Sequence, residues 1–439
     1  MTHLKDLTLK GQYHHGPTST TVGPWYHDAF YSTASSMASS AKIDPLPLNI
    51  HSGDISGRPS VSRDLAQFIC KMTHLKDLTL GGQYHDDFYS TASSMASSAK
   101  IKTLEICSGD LSKRPSASRD LAQFIYKMTH LKKLTLHDQY HDDFYSKLSS
   151  MALTVKIETL YIYSADLSER PSASRDLAQF ICKMTHLKDL RLRGQCHDDF
   201  YSTSSSMASS AKIETLYIYS ADLSERPSAL RDLAQFICKM THLKDLRLRG
   251  QCHDDFYSTS SSMASSAKIE TLDIDSADLG ERPFASRDLA QFICKMTHLK
   301  KLTLDGQYHD DLYSTSSSMA SSAKIETLDI DSADLGERPF ASRDLAQFIC
   351  KMTHLKKLTL DGQYHDDLYS TSSSMASSAK IETLYIYSAD LSERPSASRD
   401  LAQFICKMTH LKDLTLRGQC HDDFYSTSSS MTSSAKVLI

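Results

Sequence analysis

The sequence predicts an α/β solenoid, one strand–helix unit stacked many times, with parallel strands on the concave face and helices on the convex face. Three observations predict it. The tripeptide Thr-His-Leu recurs with its histidine at His74, His130, His186, His242, His298, His354 and His410, always 56 residues apart. Each 56-residue unit holds two short segments whose apolar residues fall at strand spacing. Between those segments the apolar period turns helical. A chain of 439 residues would ordinarily suggest about three domains, but a fixed period makes length a count of units instead.

The strands come first. One half of each unit begins HLKDLTL, with Leu75, Leu78 and Leu80; the other begins IETLYIY, with Ile157, Leu160 and Ile162. Both match L-x-x-L-x-L, the strand core of a leucine-rich repeat. Leu75 to Ile101 is 26 residues and Ile101 to Leu131 is 30, a mean of 28, which suits that class. Strands of the first type start at Leu4, Leu75, Leu131, Leu187, Leu243, Leu299, Leu355 and Leu411. Those of the second type start at Ile43, Ile101, Ile157, Ile213, Ile269, Ile325 and Ile381. Together they give about fifteen repeats, the Ile43 repeat being weakened by Pro45 and Pro47. An insertion at residues 13–29, holding the single Trp25, stretches the first unit.

The connectors read as helices. SRDLAQFICKM places Leu177, Phe180, Ile181 and Met184 on one helical face. Ser174 is the expected N-cap, with Pro171 in the loop before it. The second connector, HDDFYSTASSMASSAK, places Phe88, Ala92, Met95 and Ala99 on one face, capped by Asp86 or Asp87. Its serines lower intrinsic helicity, so stacking must hold it.

The two alternating repeat types and their length resemble ribonuclease-inhibitor-type leucine-rich repeats. The wording HLKDLTL…YHDDFYSTSSSMASSAKIETL is similar to the leucine-rich regions of invertebrate NACHT–leucine-rich-repeat receptors, the NOD-like innate immune sensors. That resemblance implies the ligand-sensing or autoinhibitory part of a cytosolic immune receptor, in which an ATP-binding NACHT domain would precede this array. Two departures mark the turn after the strand. The family's Asn or Cys is Gln83 in the first type and Ala165 in the second, and the next apolar position falls on His85 in the first and Leu167 in the second. The second turn is therefore conventional and the first is not.

The units are nearly identical copies, so their differences are informative. Strand side chains alternate, which turns the leucines inward and the residues between them outward. The larger changes fall on those outward positions. Glu105 and Cys107 in one strand become Tyr161/Tyr163, Tyr217/Tyr219, Asp273/Asp275, Asp329/Asp331 and Tyr385/Tyr387 in its copies. The other strand type carries Thr135/His137, Arg191/Arg193, Arg247/Arg249, Thr303/Asp305, Thr359/Asp361 and Thr415/Arg417. The result is a basic–aromatic zone from Tyr161 to Arg249 and an acidic zone of Asp273, Asp275, Asp305, Asp329, Asp331 and Asp361. Tyr385, Tyr387 and Arg417 return to the first character. Tyr and Arg are enriched at binding hot spots, so this face is the expected protein- or peptide-binding surface. Like charges on neighbouring strands repel, so the acidic zone would carry a cost without a basic partner or cation.

Other chemistry is excluded or unsupported. Lys+Arg 49 against Asp+Glu 53 gives a net charge of −4, which does not suit a nucleic-acid binder. No run of about 18 apolar residues suggests a membrane span. There is no phosphate-binding G-x-x-x-x-G-K-[ST], no H-E-x-x-H and no G-x-S-x-G, so no catalytic set, cofactor or metal is assigned. His85-Asp86-Asp87 reads as a helix cap rather than a metal site. Cys70, Cys182, Cys238, Cys294, Cys350 and Cys406 share one helix position, too far apart for disulfides, and read as buried or half-buried thiols. Free thiols point to a reducing, cytoplasmic setting. Met1 aligns with Met72 inside the repeat, and the chain stops in AKVLI where the next strand would begin. Both ends then lack capping repeats, which predicts a fragment of a longer protein and end-to-end self-association. A stand-alone inhibitor or adaptor, ribonuclease-inhibitor-like or a ubiquitin-ligase substrate receptor, is the alternative.

Overall fold

The computed structural model describes residues 7–10, 47–51, 54–95, 100–107, 109–151, 156–207, 212–263, 268–319, 324–375, 380–387, 390–429 and 436–438. The chain forms two compact units, Met1–Ile213 and Glu214–Ile439. The expected strands at Leu4 and Ile43 begin, and the 13–29 insertion lies wholly, outside the described residues.

In the first unit seven strands pair in parallel and in chain order. They are β1 (Leu7–Lys10), β2 (Pro47–His51), β3 (Asp77–Gly81), β4 (Thr103–Cys107), β5 (Lys133–Leu136), β6 (Thr159–Leu167) and β7 (Asp189–Cys196). The second unit repeats the plan with β8 (Thr215–Leu223), β9 (Asp245–Cys252), β10 (Thr271–Leu279), β11 (Lys301–Tyr308), β12 (Thr327–Leu335), β13 (Lys357–Tyr364), β14 (Thr383–Tyr387), β15 (Asp413–Leu416) and β16 (Lys436–Leu438). Each unit is a leucine-rich-repeat solenoid of the α/β class. Sixteen strands stand among the described residues where fifteen repeats were expected. The extra one is the Lys-Val-Leu of the C-terminal AKVLI, whose Val437 pairs with Leu414.

The leucine spacing sets the core. Leu160 and Leu190 are fully buried and in register with each other, and Ile162 faces Leu192 beside them. Each such side chain removed from water contributes about 2 kcal/mol. The long connector forms a 13-residue helix, as at Pro171–Lys183, burying Ala173, Leu177, Ala178, Phe180 and Ile181. Met184 is buried one residue past its end, with its N–H on the Ile181 carbonyl. The short connector forms a 10-residue helix, as at Asp86–Met95. Its inward face is Phe88, Tyr89, Ala92 and Ser93, rotated from the expected stripe; Met95 is half-buried and Ala99 lies outside the described residues.

Three local readings are corrected. Ser174 does not cap its helix: that helix starts at Pro171, in its first turn, after Arg170, whose side chain makes no capping bond. Instead the buried Ser174 hydroxyl donates to the Leu167 carbonyl at 3.1 Å and accepts from the His197 N–H at 3.0 Å, joining consecutive repeats. The short helix is capped by histidine, not aspartate: His85 Nδ1 accepts from the Asp87 N–H at 3.2 Å. This freed pair of carboxylates takes arginines from both sides, Asp86 from Arg114 at 2.9 Å and Asp87 from Arg63 at 2.5 Å. Finally, the first-type turn departs from the family pattern, as expected, but its apolar position is kept at Tyr84 rather than His85, one residue earlier than in the second type. Second-type strands carry one extra residue, seen as a register shift between Tyr163 and Ala165. Leu111 therefore bridges to Tyr140 and Leu167 pairs with Cys196. Tyr84 is fully buried, stacks on Phe88 with centroids 4.5 Å apart, and donates to the Gly81 carbonyl.

No disulfide joins the cysteines among the described residues, and the burial expected at the shared helix position holds for Cys70, Cys182, Cys238, Cys294 and Cys350. Cys406, at the same position, is exposed. Burial pushes the Cys182 thiol up to about 12, which makes it a poor nucleophile.

Candidate functional site

Pairing in register sets the outward strand residues side by side on the sheet face away from the helices. In the first unit Tyr161 pairs with Arg191 and Tyr163 with Arg193. The Arg191 guanidinium lies 4.4 Å from the Tyr161 ring centroid, and Lys133 Nζ lies 4.9 Å from it. The Tyr161 hydroxyl donates to Asp189 at 2.9 Å, and burial together with that bond raises its pKa to about 12. Arg191 reaches the same carboxylate at 3.4 Å. Arg193 is exposed. This is a pre-ordered aromatic and cationic surface, held by contacts within its own strands.

The second unit carries its own version. Tyr217 pairs with Arg247 and Tyr219 with Arg249; Tyr219, Arg247 and Arg249 are exposed. On the next strand Arg247 faces Asp273 and Arg249 faces Asp275, at 4.0 and 3.6 Å. Lys301 Nζ lies 3.6 Å from Asp329 Oδ2. The other Asp329 oxygen is buried with no hydrogen-bond partner among the described residues. The acidic zone is thus partly neutralised from within, which lowers the cost it would otherwise carry without a basic partner or cation. Repulsion remains where Asp275, Asp305 and Asp331 pair one after another. Burial first, then the Asp305 charge, raises the Asp275 pKa; burial raises that of Asp273 against its arginines. Asp361 is half-exposed on β13. Further along this unit Lys357 lies 5.2 Å from the Tyr385 ring and Arg417 lies 5.3 Å from the Tyr387 ring.

One constellation escaped the sequence reading, which assigned no metal. Glu105, Cys107 and His137 bring a carboxylate oxygen, a thiol and an imidazole nitrogen within 4.8 Å of one another in the first unit. Glu105 and Cys107 share one face of β4, and His137 follows β5 immediately. His137 Nε2 lies 3.1 Å from Glu105 Oε1, and the Cys107 thiol donates to the same oxygen at 4.0 Å. The His137 ring stacks on Tyr163 at 4.9 Å, which fixes its plane. Burial, then the Glu105 and Asp138 charges, pushes the Cys107 thiol up to about 12. The signal in the sequence was the pair of outward positions Glu105/Cys107 and Thr135/His137 on neighbouring strands, but only register shows that they meet.

No family model matches the chain, and no characterised protein sequence matches it. Solved structures do. A crystal structure of a TLR13–ssRNA13 complex is similar with a TM-score of 0.42 and 14% identity, over 86% of this chain and 48% of that one. A crystal structure of a Bacteroides fragilis protein is similar with a TM-score of 0.30 and 14% identity, over 65% of this chain and 66% of that one. The chain therefore spans about half the length of the first of these structures.

Proposed function

We propose that this chain is a non-catalytic scaffold that recognises a protein or peptide on the outward face of its strands. One observation carries the reading. Between near-identical units the buried leucines are kept while the outward strand residues switch among Tyr, Arg, Asp, Glu, Cys and His. Rigid aromatic and arginine side chains, already ordered by their neighbours, lose little entropy on binding. The residues assigned to recognition are Tyr161, Tyr163, Arg191 and Arg193 in the first unit. In the second they are Tyr217, Tyr219, Arg247, Arg249, the six aspartates from Asp273 to Asp361, Tyr385, Tyr387 and Arg417. With the wording of its repeats, the chain reads as the ligand-sensing or autoinhibitory part of an innate immune receptor. Cysteines without a disulfide among the described residues suit a reducing cytoplasm. No described helix is long and apolar enough to cross a membrane.

The run Asp275, Asp305, Asp331 favours a second reading, an inhibitor or adaptor that grips a basic partner. Peptides selected from a random display library on the purified chain separate the two. The first reading expects peptides bearing Asp, Glu and aromatic residues, whose binding is lost in R191E/R193E while the circular dichroism spectrum is kept. Basic peptides that lose binding in D305N/D331N would select the inhibitor reading. Unchanged affinity in both variants would overturn recognition on this face.

A further inference from the structure

We propose that Glu105, Cys107 and His137 form a binding site for one divalent transition ion of the zinc class, its fourth position open to solvent. Three donor types converge here, a combination found once among the described residues; in the copies these positions hold other sets, such as Asn49/His51 with Gly81, Tyr161/Tyr163 with Arg193, and Asp273/Asp275 with Asp305. Thiolate, imidazole and carboxylate are the ligand types of zinc sites, and the sulfur disfavours calcium and magnesium. Around a tetrahedral ion such donors sit roughly 3.3–3.8 Å apart. The three atoms already lie within 4.8 Å, so small side-chain rotations close the set. His137 and Glu105 are half-exposed, which gives an ion a path in.

The surroundings are shaped around the cluster. The position after His137 is glycine in the other described copies, with positive φ at Gly82, Gly194, Gly250, Gly306, Gly362 and Gly418. Here it is Asp138, held at φ 84°, a conformation that costs a non-glycine residue about 1 kcal/mol or more. Its carboxylate accepts from the Gly109 N–H at 3.1 Å and tethers the loop after β4 to the loop after β5. On the other side Gly81 pairs with Cys107 and with His51. A Cβ at Gly81 would lie 2.6 Å from His51 Nδ1, so this glycine is what admits the His51 imidazole on the strand beyond it.

The test is titration of the purified, reduced chain with Co²⁺, followed by its displacement with Zn²⁺. The expected result is a thiolate-to-cobalt charge-transfer band that saturates at one equivalent and vanishes on adding zinc. Cys107→Ser should abolish the band, and His137→Ala should weaken cobalt binding by at least about tenfold. Cys420→Ser, which removes another half-buried thiol, should leave the band intact. Circular dichroism and melting of the metal-free variants show whether each remains folded. No band in the unaltered chain, or a band that survives Cys107→Ser, would overturn the proposal.

Discussion

The seam between repeats and the outward strand face are built from the same 56-residue copies, yet they behave differently. At the seam the same contacts recur in every copy but one, where a buried Leu230 stands in the serine's place. The serine hydroxyl bonds the next histidine N–H at Ser62–His85, Ser118–His141, Ser174–His197, Ser286–His309, Ser342–His365 and Ser398–His421. The flanking arginines return too, Arg170 on Asp142 at 2.7 Å and Arg338 on Asp310 at 2.7 Å. On the face, aligned positions hold Glu105, Tyr161, Tyr217, Asp273, Asp329 and Tyr385. The seam is constrained because each group there satisfies a buried partner in another repeat. The face is free to vary because its side chains reach solvent and neighbours of their own layer.

The largest expected break is at the seam. Ser174→Ala removes a buried hydroxyl that both donates to Leu167 and accepts from His197; the Leu167 carbonyl keeps the Arg170 N–H, but the His197 N–H is left unsatisfied. The expected loss is about 2 kcal/mol in denaturant unfolding. A loss under about 0.5 kcal/mol, the size of an ordinary surface change, would show that the serine is only a filler.

A smaller effect is expected on the face, and its sign depends on pH. Burial raises the Asp273 pKa above its ordinary 3.8, so the folded state holds that proton more tightly than the unfolded chain. Stability from this group is therefore lost as pH rises through the interval between the two values. Asp273→Asn should raise stability at pH 7 by roughly half a kcal/mol or less. The gain should shrink toward zero as pH falls to the ordinary carboxylate range. Melting curves at neutral and acid pH check this, and a pH-independent difference would contradict it.

What the sequence showed depended on range. Leu75, Leu78 and Leu80 announce their strand locally, and Leu177, Phe180 and Ile181 their helix, because period alone separates them. Ser174 was misread because cap rules look a few residues away, while its partner His197 is 23 residues distant; His85 was misread because Asp86 and Asp87 beside it are the commoner capping types. Tyr84 was missed in favour of His85 because one extra residue in the partner strand shifts the alignment, which only pairing reveals. The outward position of Tyr161 and Arg191 followed from alternation, but their stacking did not. Likewise Cys107 and His137 are 30 residues apart in sequence and meet only through the register of β4 and β5.

The most direct test of recognition by the strand face is arginine labelling with a dicarbonyl reagent, read residue by residue by mass spectrometry. It compares the chain alone with the chain bound to a display-selected peptide. Arg191 and Arg193 lie on the strand face, whereas Arg175 lies on a helix, exposed and paired with Asp199. The account predicts that the peptide protects Arg191 and Arg193 and leaves Arg175 as reactive as before. Protection of Arg175 with Arg191 and Arg193 unchanged would place recognition on the helical side and contradict it.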